Sequence, residues 1–144
     1  MPYPVAAGAD NYLYYQEYNC SDGSTEPFSP IEAYIESSQI DIQDGENFAF
    51  IRKIIPDITF DGSTTESPSA NMVLKARNFP GGNYLQSDTA QVDRSATVPV
   101  EQFTNQVNLR LRGRSFALRV ESDELGVSWR LGSPRIEIRP DGKR

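Results

Sequence analysis

Apolar and polar residues alternate along most of this chain, and no long segment carries the 3.6-residue period of an amphipathic helix. A period of two puts successive side chains on opposite faces of a strand, so an all-β fold is expected. In residues 48–60 the even positions read Phe48, Phe50, Arg52, Ile54, Pro56, Ile58 and Phe60. That is a strand pattern interrupted by Pro56, which has no amide to give to a ladder. In 31–42 the apolar set begins odd (Ile31, Ala33, Ile35) and ends even (Ile40, Ile42), and this flip of phase at Ser37–Ser38 suggests a β-bulge. Residues 107–120 read as a hairpin. With Gly113–Arg114 as a type II′ turn, partner numbers sum to 227 and Val107, Leu109 and Leu111 oppose Val120, Leu118 and Phe116 on one face. The other face then carries Asn108, Arg110, Arg112, Ala117 and Arg119.

Further strands are expected at 11–18, 71–77, 91–98, 127–131 and 135–139, with Asp-Gly turns at 22–23, 44–45, 61–62 and 141–142 and a turn-rich loop at 61–71. The expected architecture is an antiparallel β-sandwich or jelly-roll-like barrel. Residues 1–30 read as an N-terminal arm and first strand that contact a partner, and 31–144 as the sandwich domain. Trp129, flanked by Val127 and Leu131 at period two, is expected to anchor the core.

Composition limits the chemistry. The 144 residues include no histidine and one cysteine, Cys20, which excludes an internal disulfide and a Cys/His zinc cluster. A serine or cysteine nucleophile would lack its usual base. Carboxylate pairs suited to glycoside hydrolysis exist at Asp41/Asp44 and Glu121/Asp123/Glu124, but acids in turns are ordinarily solvated. The run DIQDGE, 41–46, lacks the alternating ligand spacing of a calcium loop, and Asn19-Cys20-Ser21 matches a glycosylation acceptor only formally. No catalytic residue, cofactor site or metal site is expected, and neither is membrane insertion. The start MPYPVAAGAD lacks the charged and apolar regions of a secretory signal, so export by that route is not expected.

Charge is polarised. Residues 1–51 hold nine acids and no Lys or Arg, whereas residues 105–144 hold nine bases and five acids, 9 − 5 = +4, within a net charge of −6. Such a distribution lets one end of a molecule attract the other end of a neighbour. Arg110, Arg112 and Arg119 are candidate contacts to an acidic partner or to phosphates. Tyr12, Tyr14 and Tyr15 are candidate subunit contacts, because a tyrosine ring is apolar while its tip stays wet.

The segment VEQFTNQVNLRLRGRSFALRVESDELGVSWRLGSPRIEIRPDGKR, with the upstream IEAYIESSQIDIQDGENFAFIRKIIPDITF and ARNFPGG, resembles the C-terminal part of tail nozzle or DNA-stabilisation type proteins of short-tailed bacteriophages. The resemblance covers residues 31–144. Members of that family are several hundred residues long and carry a large β-propeller ahead of this segment, which has no counterpart here. The resemblance implies a virion structural protein in the phage tail, assembled in the host cytoplasm. It also implies a homo-oligomeric ring, other tail proteins as partners, and passage of DNA without sequence-specific binding. It transfers no catalytic residue. Two rival expectations are a receptor-binding (adhesin) module and a carboxylate-based glycan depolymerase.

Overall fold

The computed structural model describes residues 3–16, 18, 20–23, 26–41, 47–77 and 95–142. The described residues contain no helix. The chain opens with four short strands, β1 (Val5–Ala7), β2 (Leu13–Tyr15), β3 (Ser21–Asp22) and β4 (Ser29–Pro30). There follow β5 (Ala33–Glu36), β6 (Ile40–Asp41), β7 (Ala49–Ile55), β8 (Ile58–Thr59), β9 (Ser69–Arg77) and β10 (Ser95–Glu101). The last four are β11 (Val107–Gly113), β12 (Ser115–Ser122), β13 (Arg130–Leu131) and β14 (Arg135–Pro140). Two antiparallel sheets face each other. The larger runs β10-β9-β12-β5, with β6 also paired to β12, and the smaller runs β11-β7-β14. This is the expected antiparallel sandwich, with no closed barrel.

The core lies between the sheets. Ala49, Ile51, Ile54, Val107 and Leu111 come from the smaller sheet and Ala70, Met72, Leu74, Val100, Phe116 and Val120 from the larger. Val127, Trp129 and Leu131 pack against this cluster, and the Trp129 indole N–H donates to Ser122 Oγ at 2.8 Å, so its one polar atom is satisfied.

The expected 107–120 hairpin is not formed. β11 pairs with β7, β12 pairs with β9, and only Arg114 separates the two strands as the chain crosses from one sheet to the other. The six apolar residues still point at one another, but across the core instead of along one sheet: Val107, Leu111, Phe116 and Val120 are buried and Leu109 and Leu118 pack against them. Gly113 is therefore needed for space, not for a turn with positive φ. A Cβ there would lie 2.9 Å from the Ala76 Cβ and 3.2 Å from the Arg77 carbonyl oxygen, and Arg114 N–H donates to that same carbonyl at 3.0 Å. Gly113→Ala is expected to destabilise by about 1–3 kcal/mol, because neither neighbour is a flexible side-chain tip. Chemical denaturation at unchanged m-value would measure it, and a neutral result would remove the packing explanation.

The expected phase of 48–60 also shifts. Ala49 and Ile51 are buried, then Ile54, because Arg52 is an extra residue against β14 and faces Leu109 and Arg110 together on β11. β7 ends at Ile55, ahead of Pro56, as a proline break requires. The bulge read at Ser37–Ser38 is present: the register of β5 and β6 on β12 slips by one residue there. Ser37 fills the gap, its N–H donating to Leu118 O at 2.8 Å and its Oγ accepting from Leu118 N–H at 3.0 Å.

Residues 3–16, expected as an arm leading into a first strand, form a small hairpin of β1 and β2. Its turn places Asn11 at φ 68°, a conformation a short polar side chain tolerates, and Tyr12 N–H donates to Asp10 Oδ1 at 3.2 Å. Two contacts fix the next segment on the sandwich. The Cys20 thiol lies 3.2 Å from Gly62 O, and Gly126 N–H donates to Ser21 Oγ at 3.1 Å.

Candidate functional site

Every buried apolar residue among those described lies between Phe48 and Val120. Of the fifteen exposed large apolar residues among those described, eleven lie between Tyr3 and Ile40. The chain thus divides into a segment that makes the core and an N-terminal layer that shows its apolar side chains to solvent. Exposed apolar patches of this kind mark interaction surfaces.

The reason is geometric. β5 and β6 share one edge of the larger sheet, both pairing with β12, so that sheet is four strands wide against three and this edge overhangs. Ile35 is in register with Val120, and Ile40 with Phe116. Cross-strand partners point to the same face. Yet Val120 and Phe116 are 1% and 3% exposed, while Ile35 and Ile40 are 53% and 46% exposed. Their alternation was correctly that of a core face, but the facing sheet stops before it reaches them.

The β1-β2 hairpin carries Tyr12, Leu13 and Tyr15, each about two-thirds or more exposed. Tyr3, Tyr15 and Tyr18 cluster edge-on and tilted, with centroids 5.1–6.2 Å apart. Tyr14 is half-buried, and its hydroxyl donates to Asp10, which holds the Asp10 carboxyl below and the Tyr14 phenol above their ordinary values. An open groove of about 700 Å³ runs among Tyr14, Tyr15, Tyr18, Phe28, Asp22 and Glu32. The alternation of 31–42 did not signal Ile31 as a surface residue. The absence of any Lys or Arg before Arg52, beside a high density of Tyr, was the available sign of a distinct layer.

The three arginines read as one basic face are split. Arg110 and Arg112 lie on the outer face of the smaller sheet, whereas Arg119 lies on the outer face of the larger one, a consequence of the missing hairpin. Arg112 pairs with Asp141 and stands 4.1 Å from the Phe48 ring centroid. Arg119 reaches Glu121 at 2.7 Å and Glu36 at 3.1 Å and lies 4.0 Å over the Tyr34 ring. Its guanidinium is held in the charged form chiefly by the Glu121 hydrogen bond, with Glu36 adding to it. Arg110 is exposed and makes no ion pair among the described residues.

Glu36 ties the overhanging strand to the sheet. Its carboxyl is pushed below the ordinary 4.5 first by the hydrogen bond from Lys75 at 2.9 Å and then by Arg119, against the opposing effect of partial burial. A lowered folded-state pKa means that this stabilisation is present above about pH 4.5 and is lost as pH falls through the folded value. Protection of the β5 amides, taken relative to intrinsic exchange at each pH, is therefore expected to fall in acid, and Glu36→Gln should flatten that dependence without altering protection in β9.

Of the remaining candidate acids, Asp123 is exposed and two others are engaged structurally. Asp41 accepts from Ser115 Oγ at 2.5 Å and Glu124 from Ser69 Oγ at 3.1 Å. Asp44, the rest of the DIQDGE run after Asp41, Asn19 and most of ARNFPGG lie outside the described residues. Among those described, no group of three or more acids or cysteines is placed to hold a metal ion, and no helix is long and apolar enough to cross a membrane. No protein-family model matches this chain, and no curated protein matches it.

Proposed function

We propose that this chain is a structural subunit that completes its fold surface by packing into a larger assembly, and that the assembly is a bacteriophage tail. The observation that carries the first part is the uncovered inner face at Ile35 and Ile40, in register with buried core residues. A neighbour seated there would extend the core, as subunit interfaces with apolar centres do. The second part rests on the resemblance of residues 31–144 to the tail nozzle type proteins. In that setting the subunit helps to build or seal the DNA exit channel, acting through protein contacts and without catalysis.

Ile35→Ser with Ile40→Ser tests the reading. Both side chains are about half exposed, so the monomer should lose only about 1–2 kcal/mol, whereas association with copies of the chain or with tail proteins should be abolished. Light scattering on size-fractionated protein gives the mass, and thermal melting gives the stability. A wild-type monomer with a high, concentration-independent Tm and no affinity for tail proteins would refute the proposal. If that monomer bound host glycans in its groove, the adhesin reading would replace it.

A further inference from the structure

We infer that the outer face of the β11-β7-β14 sheet is the receiving surface for the acidic, aromatic N-terminal layer of a second copy, so that copies join head to tail. This rests on the assembly reading above and assigns its two surfaces.

The outer face is strongly cationic. Glu137 on β14 lies within 4.0 Å of Arg52, 3.6 Å of Lys53 and 3.7 Å of Arg139, which places all four on one side of the sheet. Asn108 opposes Lys53 and Arg112 opposes Phe50, so Arg110, between them at period two, shares that side. Arg135 shares it with Glu137 by the same alternation. Among the described residues, six cations therefore meet two carboxylates, Glu137 and Asp141, and 6 − 2 = +4. One glutamate cannot neutralise three neighbours. Arg110 and Arg135 are exposed and make no ion pair among the described residues, and the Arg139 side chain is 61% exposed.

The N-terminal layer is the chemical complement. It contains no cation, and its groove places tyrosine and phenylalanine rings beside Asp22 and Glu32. The chain already holds an arginine in this way: Arg119 lies over Tyr34 between Glu36 and Glu121. Guanidinium groups combine well with aromatic faces and carboxylates together. The exposed arginines of one copy fit the groove of the next by the same chemistry. Two basic faces repel, so a symmetric pairing through that sheet is disfavoured. A contact between two different patches is heterologous and propagates into a ring or a filament.

Sedimentation of the full-length chain over a concentration series tests the inference. Wild type is expected to grow beyond a dimer at low salt and to associate more weakly near 0.5 M salt, where screening shortens the reach of the charges. Arg110→Glu with Arg135→Glu, and separately Glu32→Arg, should each weaken association about tenfold or more with an unchanged fold by circular dichroism. Mixing the two variants restores both junctions, because the reversed face of one then meets the reversed groove of the other, so the mixture should assemble. Assembly of either variant alone at wild-type strength, or a mixture that stays monomeric, overturns the inference. So does a wild type that remains monomeric but binds random-sequence duplex DNA in a way that Arg110→Glu with Arg135→Glu abolishes, which would make the face a polyanion site. If Ile35→Ser with Ile40→Ser abolishes assembly while the charge reversals do not, the assembly reading stands and this one falls.

Discussion

Ile51→Ala is expected to destabilise the fold by about 2–5 kcal/mol, the range for removing a buried branched side chain together with the cavity it leaves. Ile51 is fully buried on the central strand of the smaller sheet, in register with Leu111 on one side and Ile138 on the other. No neighbour on its own strand can fill the space, because Arg52 bulges outward next to it. Domains of this size hold only about 5–15 kcal/mol in total. At about 4 °C per kcal/mol, the Tm should fall by roughly 8–20 °C. Ile55→Ala is the paired control. It is the same substitution on the same strand, at a residue 39% exposed, and should shift stability by no more than about 1 kcal/mol. Equal shifts would mean that the phase of β7 around Arg52 is wrong, and the core with it.

That phase illustrates what sequence could carry. Alternation identified strands and their apolar faces, because a period of two is a property of each strand alone. It could not carry sheet membership. Leu109 and Leu118 obey the same rule whether they sit side by side in a hairpin or meet across a sandwich, and a glycine between two such strands suits either a turn or a tight corner. The Ser37–Ser38 bulge was legible because apolar residues on both sides of it registered the slip. The Arg52 bulge was not, since apolar residues occupy both phases around it and even positions offered a false continuous face.

The candidate site was legible in composition more than in position. The lack of cations before Arg52 and the tyrosine-rich start marked an N-terminal layer as different. That Ile35 and Ile40 are uncovered depends on the facing sheet ending before the β5/β6 edge, which no local pattern records. The pairing of Arg119 with Glu36 spans 83 positions along the chain and exists only because β5 lies against β12. It turns an arginine read as a contact for other molecules into one that secures the overhanging strand.

Gly126→Val should produce the second large loss, and its pattern bears on how the N-terminal layer is held. Gly126 is buried at φ 75°, a conformation that costs a side-chain-bearing residue about 1–2 kcal/mol. A Cβ would also lie 2.5 Å from Thr64 Oγ1 and 3.2 Å from Thr65 N, adding about 1–3 kcal/mol of overpacking. The two effects together predict a fall of about 2–5 kcal/mol. The backbone there joins two segments, since Gly126 O accepts from Thr64 N–H at 2.8 Å while Gly126 N–H donates to Ser21 Oγ. Displacing it should therefore speed amide exchange both in 61–68 and around Ser21 and Asp22. Ser21→Ala removes only the second link, worth about 0.5–1.5 kcal/mol, and should loosen 20–22 while leaving exchange in 61–68 at the wild-type rate. An N-terminal layer that loosens in both variants is positioned through Gly126, and association through that layer should weaken in step. Unchanged exchange at 20–22 in either variant would show that other contacts position it.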